Sequence, residues 1–299
     1  MAEARCPDCG SAPLRDLGAL PDVQHFAGRR QVSAMPGGRL LNCRGCDLRF
    51  RFPVLTCEQY ATLYDNGDVD VWQVAAQRND QALVMRELER HVRGASVLDF
   101  GCYSGEFLRS LDGQFRKFGV EVNRTAADLA ARRASARVET DLDAFEADLT
   151  FDFIVAMDVV EHVISPRLLV ERLLGRLAPG GRLVLTTGDG GNRLWSVLGA
   201  HWWYCYFPEH VAFLSRRWFA FHAGGLGAEV ERLDAFSYIA RSPITLVRGM
   251  LRLAFCALLP NADARSRRRR SERLDRDDGA PGIGLSRDHL LVVLRHAPA

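Results

Sequence analysis

The chain has 299 residues, 47% of them hydrophobic and 25% charged, with a formal net charge of +2. That size suits one large α/β domain with a small accessory one, and the composition is that of a globular chain. Near-neutral charge gives no global drive toward nucleic acid, no window resembles the ~18 apolar residues of a membrane-spanning helix, and Met1-Ala2-Glu3-Ala4-Arg5 contains no apolar leader core, so a cytoplasmic chain is expected.

Residues 1–57 are rich in Gly, Pro and Cys and poor in helical periodicity. Four of the eight cysteines fall in two pairs, Cys6-Pro7-Asp8-Cys9 and Cys43-Arg44-Gly45-Cys46. Two residues between cysteines let both thiolates of a pair reach one ion while the chain turns, and two such knuckles predict a closed tetrahedral site for a structural zinc. Positions 10–42 leave room for a hairpin between the knuckles. Four unmetallated thiols are the plainer alternative. Cys57, Cys102, Cys205 and Cys256 lack partner spacing and read as packing residues.

Residues 58–95 read as a helical linker or lid, with Val84, Leu88 and Val92 on one face. From Ser96, short apolar runs (Val97–Phe100, Phe118–Val122, Phe153–Met157, Arg182–Thr187) alternate with amphipathic stretches. That pattern predicts a parallel sheet with helices on both faces, in a core over 96–190. An insertion over 191–227 follows, with Val211–Ala223 read as helical. Glu229–Phe236 and His289–Arg295 read as two last strands within 228–299, a region interrupted by a helical stretch and an arginine-rich, charge-dense loop at Ser266–Gly279.

The most specific segment is Val97-Leu98-Asp99-Phe100-Gly101-Cys102-Tyr103-Ser104-Gly105, a strand and glycine turn opening a helix near Glu106. Glu121 ends the next apolar run about 20 residues on, where α/β sheets use an acid to accept hydrogen bonds from ribose hydroxyls. The spacing of Gly101 and Gly105 departs from the G-x-G-x-x-G of nicotinamide folds. It resembles the acid-x-G-x-G-x-G loop of class I S-adenosylmethionine (SAM)-dependent methyltransferases, with Tyr103 at the place of the middle glycine. Three further segments fit in order: Thr140-Asp141-Leu142; Phe151 through Met157-Asp158-Val159-Val160-Glu161-His162; and Leu177-Ala178-Pro179-Gly180-Gly181-Arg182-Leu183. The N-terminal cysteine module, Leu63-Tyr64 and His201-Trp202-Trp203-Tyr204-Cys205-Tyr206-Phe207-Pro208-Glu209-His210 resemble a subgroup that includes sugar C-methyltransferases and bacterial glycan and natural-product methyltransferases.

The resemblance implies a Rossmann-like seven-stranded sheet beside a zinc ribbon-like module. It implies SAM held by Asp99, Gly101, Cys102, Tyr103, Gly105, Glu121, Asp141, Leu142 and Asp158, with Tyr64 closing over it. The acceptor is a small molecule such as a sugar, glycan precursor or natural product, and His210, with Tyr206 and Glu209 beside it, is the implied catalytic group. Trp195, Trp202, Trp203, Tyr204, Tyr206 and Phe207 supply an aromatic cover or simply a packed lid. Asp158, Glu161 and His162 carry a spacing that some methyltransferases use for a divalent ion; helix capping and bracing of the sheet are the plainer reading. Ile244–Leu259 with the nearby Arg267–Arg270 suggests peripheral membrane contact, but Asp275, Asp277 and Asp278 offset the arginines, and a helix packed over the cleft or a contact between copies is favoured. RNA methylation is a competing function, opposed by the charge balance and by the absence of an Asn/Asp-Pro-Pro-aromatic motif at Ala156–Val159. A non-catalytic SAM-binding scaffold is another.

Overall fold

The computed structural model describes residues 4–68, 79–89, 94–238 and 287–298, with isolated helical positions between 244 and 262. In chain order the elements are β1 (Leu14–Ala19), β2 (Val23–Phe26), β3 (Arg29–Met35), β4 (Arg39–Cys43), β5 (Arg49–Phe52), α1 (Cys57–Asp65), α2 (Asn79–Leu88), β6 (Ser96–Phe100) and α3 (Glu106–Ser110). There follow β7 (Arg116–Val120), α4 (Arg124–Ala134), β8 (Arg137–Glu139), β9 (Phe151–Met157), α5 (Pro166–Leu174), β10 (Leu177–Gly188), α6 (Arg193–Leu198), β11 (Ala212–Phe213), α7 (Arg216–His222), β12 (Ala228–Phe236) and β13 (His289–His296).

Seven strands form the central sheet in the order β12-β13-β10-β9-β6-β7-β8. The strands from β10 to β8 run parallel; β13 lies antiparallel to both β10 and β12. This is the α/β, Rossmann-like architecture expected from the alternating apolar runs. Successive strand residues point to opposite faces. Leu98, Ile154, Leu183, Leu185 and Val292 therefore join one core with α5 and α7, while Val97, Phe153, Val155, Val184 and Leu291 join a second with α2, α3 and α4. Both faces are covered, so the parallel strands read as continuous apolar runs rather than as alternation. Among the described residues no helix is long and apolar enough to cross a membrane.

The N-terminal segment builds a second sheet, β1-β4-β5-β11, and a separate hairpin, β2-β3. Its fourth strand comes from the far side of the sequence: Ala212 pairs with Phe50 and Phe213 with Arg49. Val211–Ala223 was expected to be helical throughout. Instead a two-residue strand leads to Ser215, whose hydroxyl accepts the Trp218 N–H and starts α7 there. A side-chain oxygen at that position satisfies a donor the helix itself leaves open.

The cysteine module is fastened to the large sheet by two acids, one in each knuckle region. Asp8 accepts hydrogen bonds from the Ser165 hydroxyl (2.7 Å), the Arg167 N–H (3.2 Å) and the Trp218 indole N–H (2.7 Å). Asp47 accepts from the Ser215 hydroxyl at 2.7 Å and from Asn42 at 3.1 Å. Ser165 and Ser215 are the N-caps of α5 and α7, so each acid reaches one helix start. Cys6, Cys43, Cys46, Leu48 and Phe50 belong to the same buried cluster as α5, α7 and the sheet. The expected helix at Ile244–Leu259 is not packed at its described positions: Ile244, Val247, Leu251, Phe255 and Leu258 are all exposed. Val92, Cys256 and the arginine-rich stretch lie outside the described residues.

Phe213 is fully buried against Trp195 (4.9 Å between ring centroids) while its strand closes the N-terminal sheet. Phe213→Ala should cost about 3–5 kcal/mol. Urea unfolding followed by far-ultraviolet dichroism and by tryptophan fluorescence should give coincident transitions for the unaltered chain, because the N-terminal sheet and the insertion share this contact; separate transitions in the unaltered chain would show that they unfold independently.

Candidate functional site

The turn after β6 carries three residues in the left-handed region: Gly101 (φ 80°), Tyr103 (φ 47°) and Gly105 (φ 77°). The glycines answer to close approach as well as conformation. A Cβ at Gly101 would meet Val159 Cγ2 at 2.6 Å, and one at Gly105 would meet the Ala130 Cα of α4 at 2.8 Å. Tyr103, the departure from the glycine pattern, adopts the backbone conformation a glycine would, at a cost of about 1–3 kcal/mol. Its backbone is held there: the Tyr103 N–H donates to Glu121 Oε2 at 2.9 Å.

Glu121 sits just beyond the end of β7. Its second oxygen accepts the Asn123 N–H at 2.9 Å. Burial pushes its carboxyl up, and these two backbone donors hold it down. Each carboxylate oxygen still has a second lone-pair direction. Asn123 caps α4 by accepting from Ala126 N–H (3.0 Å), and its amide donates to the Tyr64 and Asp65 carbonyls, both at 3.1 Å. The last turn of α1 is thereby fixed over the same edge of the sheet. Asp99 is buried within β6, and Leu142 is buried beyond β8. Asp141, by contrast, has its side chain 64% exposed, caps the short turn after it and lies 3.4 Å from Arg172.

Beside this edge lies a buried polar network. Asp158 ends β9 at φ 55°, its N–H donating to the Thr186 carbonyl of β10 at 2.9 Å. Glu161, in a 3-10 turn at Val160–His162, is fully buried. It accepts hydrogen bonds from the Thr187 hydroxyl (2.9 Å) and from the Tyr204 hydroxyl. Burial, and then the neighbouring Asp158, raise its carboxyl to about 7. The Tyr64 hydroxyl meets His162 Nδ1 at 2.7 Å, and the His162 and His210 rings stand edge to face at 4.9 Å. His210 Nδ1 lies 2.9 Å from the Tyr204 carbonyl. A carbonyl only accepts, so Nδ1 carries the proton and Nε2 of the neutral ring keeps its lone pair. Burial holds His210 well below the ordinary histidine range, with His162 adding to the effect, and burial takes His162 to about 4. Both rings are neutral at pH 7.

The three residues implied as catalytic are neighbours in sequence but face different partners. His210 joins the network just described. Tyr206 is buried. Glu209 is buried and accepts the Ala27 N–H at 2.5 Å, so its carboxylate reaches the turn of the β2-β3 hairpin. Sequence reading places Tyr204 only in the aromatic cover and does not single out Thr187, the Tyr204–Glu161 bond or the Tyr64–His162 bond. Tyr204 stands two residues from Tyr206, and nothing in the residue order chooses between them.

Two residue sets have the spacing to hold an ion. The sulfurs of Cys6, Cys9, Cys43 and Cys46 all lie within 4.8 Å of one another, with Cys6–Cys46 and Cys9–Cys43 at 3.5 Å. Four thiolates about 2.3 Å from a tetrahedral ion stand roughly 3.8 Å apart, so the cluster is compatible with zinc. Without a cation the set resists ionising together: the Cys46 hydrogen bond lowers Cys6 to about 5, while Cys46 itself is raised by Cys6. Glu161, His162 and His210 also bring one ligand atom each within 4.8 Å. Both Glu161 oxygens already accept hydroxyl protons and each ring has a Nδ1 partner, which makes this a hydrogen-bonded network.

Comparison with known proteins bears on the same residues. Residues 73–232 match the family model described as a methyltransferase domain. Among curated proteins, the ubiquinone biosynthesis O-methyltransferase of Bradyrhizobium diazoefficiens is 31% identical over 144 residues, 42% of this chain and 55% of that one. The enzyme of the same description from Nitrobacter winogradskyi is 32% identical over 127 residues, 37% of this chain and 46% of that one. The chain thus spans about half the length of the curated relatives it matches. Among solved structures, the N-methyltransferase NodS from Bradyrhizobium japonicum WM9, bound to S-adenosyl-L-homocysteine (SAH), superposes with a TM-score of 0.50 at 16% identity, covering 80% of this chain and 98% of NodS; at that identity the likeness is one of fold.

Asp8 satisfies three donors from α5 and α7, and each buried donor left without an acceptor costs about 1–3 kcal/mol. Asp8→Ala should therefore lower unfolding stability by several kcal/mol and red-shift Trp218 emission. A denaturation midpoint equal to that of the unaltered chain would contradict the role of Asp8 as the fastening.

Proposed function

The chain belongs to the methyltransferase-domain family, and from that premise we propose that it transfers a methyl group from SAM to a small-molecule acceptor. The observation that carries this reading is the position of Glu121. Its half-buried carboxylate lies at the turn formed by Gly101, Tyr103 and Gly105, bonded to the Tyr103 N–H, where ribose hydroxyls of a nucleoside would find an acceptor. In this reading Asp99, Gly101, Cys102, Tyr103, Gly105, Glu121, Asp141, Leu142 and Asp158 hold SAM, and Tyr64 closes over it from α1.

Bound SAM supplies a methyl carbon made electrophilic by its sulfonium. The chain's own task is to hold an acceptor about 3 Å from that carbon, exclude water and take the acceptor's proton. His210 suits the last part. Its Nδ1–H is committed to the Tyr204 carbonyl and burial keeps the ring uncharged, so Nε2 is free to accept a proton as the methyl arrives. The resulting imidazolium would lie beside Glu161, whose ionised carboxylate, held by the Thr187 and Tyr204 hydroxyls, would balance its charge. Glu209 and Tyr206 would shape the acceptor side, Glu209 through its grip on the hairpin turn at Ala27. A sugar, glycan precursor or natural product is the proposed acceptor. The buried rings of Trp195, Trp202 and Tyr204 around this region support an enclosed small-molecule site over an extended nucleic-acid surface. The four cysteines are proposed to hold a structural zinc, a closed set with no open coordination position.

Incubating the chain with isotope-labelled SAM and a panel of nucleotide sugars and host extracts, followed by mass spectrometry, should reveal one product heavier by a single methyl group. Label appearing in added RNA instead would overturn the acceptor class. Glu121→Ala should weaken SAM binding roughly 10–100-fold by calorimetry, since hydrogen bonds to a charged group are worth about 1.5–3 kcal/mol. His210→Ala should leave SAM affinity within about twofold and slow transfer roughly 10²–10⁴-fold; an unchanged rate would remove His210 from the proton step. Elemental analysis should find one zinc per chain, and Cys46→Ser should lose it together with stability; equal stability with and without the metal would refute a structural role.

A further inference from the structure

β13 is apolar from Leu290 to Leu294, every one of these residues buried, yet it opens on Asp288-His289. Both are almost fully enclosed: 1% of the Asp288 side chain and 3% of that of His289 is exposed. Burying a carboxyl and an imidazole at the head of an apolar strand is costly unless they serve each other. They do. His289 Nδ1 lies 3.0 Å from Asp288 Oδ1. The same Asp288 oxygen accepts the Tyr238 N–H at 3.2 Å, and the Asp288 carbonyl accepts the Asp189 N–H at 2.8 Å, tying the pair to the ends of β12 and β10.

The imidazole is sandwiched. The Tyr238 ring stacks on it at 4.6 Å and 22°, and the Tyr204 ring meets it edge-on at 5.6 Å. Tyr204 is the residue whose hydroxyl donates to Glu161 and whose carbonyl orients His210. His289 pairs in register with Gly188, the residue after Thr187, and Thr187 is the other donor to Glu161. The pair thus backs Tyr204, one of the two hydroxyl donors to Glu161, and lies one register position from the strand residue that supplies the other.

We infer that Asp288 and His289 form a positioning dyad for the acceptor site, in which Asp288 fixes the imidazole and the imidazole sets the placement of Tyr204 and the electrostatic setting of Glu161. The inference rests on the methyltransferase reading and adds to it two residues that belong to neither the cofactor turn nor the proposed base. Its electrostatic side has a definite sign. Burial disfavours the His289 cation, but the Asp288 hydrogen bond, Asp158, Asp288 and Glu161 together raise it above the ordinary histidine value. Around the ring stand Asp288 on its own strand, Asp158 at the end of β9, Glu161 on the 3-10 turn, Asp189 after β10, and Tyr204 and His210 from the insertion. An imidazolium here favours ionised Glu161 and holds His210 neutral before the proton step, and the ionised Glu161 offsets the repulsion once His210 takes the proton. Because its proton affinity is raised, the His289 cation is present below the raised midpoint and is lost as pH rises through it.

The test is nuclear magnetic resonance on the full chain labelled at histidine rings and at glutamate side-chain carboxyls, with calorimetric SAM titrations on the same samples. In the unaltered protein the His289 ring should titrate above the ordinary value of about 6.5, while His162 and His210 remain neutral well below it. Asp288→Asn should lower the His289 midpoint by at least one pH unit, a tenfold change in proton affinity. His289→Gln should raise the midpoint of the Glu161 carboxyl and shift the acidic limb of any measurable methyl transfer toward higher pH. Phe236→Leu, beside the ring but outside the hydrogen bonds, should move none of these midpoints, which separates a general packing effect from the dyad. A His289 midpoint unmoved by Asp288→Asn, or a Glu161 midpoint unmoved by His289→Gln, overturns the inference. SAM affinity should stay within about twofold in all variants. If the unaltered chain itself binds no SAM, the methyltransferase reading fails, whatever the histidine titrations show.

Discussion

A single half-buried carboxylate sets the geometry of the sheet's carboxyl edge. Glu121 accepts the Tyr103 N–H with one oxygen and the Asn123 N–H with the other, so the turn after β6 and the start of α4 are held from one point. Charge-assisted hydrogen bonds of this kind are stronger than neutral ones. Asn123 then carries the constraint outward, capping α4 and reaching the carbonyls that end α1. The turn, the α4 cap and the overlying α1 become one rigid unit with a carboxylate at its centre. That carboxylate is the group a nucleoside would need.

The same logic, burial made tolerable by complete hydrogen bonding, recurs in the rest of the molecule. Glu161 is enclosed between the Thr187 and Tyr204 hydroxyls. Asp8 and Asp47 are satisfied by serines that begin α5 and α7, which converts the cysteine module from an appendage into a cover for one face of the sheet. β11 completes this arrangement, because the segment that supplies His210 also closes the module's sheet. The cysteine cluster and the buried polar network are therefore mechanically linked through Phe213 and its neighbours, although neither touches the other.

Local chemistry was the legible part. Gly101 and Gly105 stood out because a turn of that kind admits no Cβ, and the structure shows what each would strike. Glu121 stood out by its distance from the turn, and the paired cysteines by their spacing. Tyr103 read as a departure from the pattern, and its φ of 47° shows that the backbone requirement was met by a non-glycine residue. What stayed hidden was non-local. A two-residue strand at Ala212–Phe213 has no periodicity of its own and exists only because β5 offers an edge; propensity alone made that stretch a helix. Asp8 carries no signal of its own inside the knuckle, since its partners Ser165 and Trp218 lie far along the chain. Asp288-His289 was concealed by the apolar strand that follows it, and Tyr204 by the aromatic run in which it stands.

These observations support the proposal of a nucleoside-binding edge beside a buried polar network. The most direct measurement is a pair of calorimetric titrations of the full chain, one with SAH and one with NAD. Saturable one-to-one binding of SAH with no heat from NAD is the predicted result. Saturable binding of NAD, or no binding of SAH by a folded sample, would contradict the assignment of the edge formed by Gly101, Gly105 and Glu121 to an adenosyl sulfur cofactor.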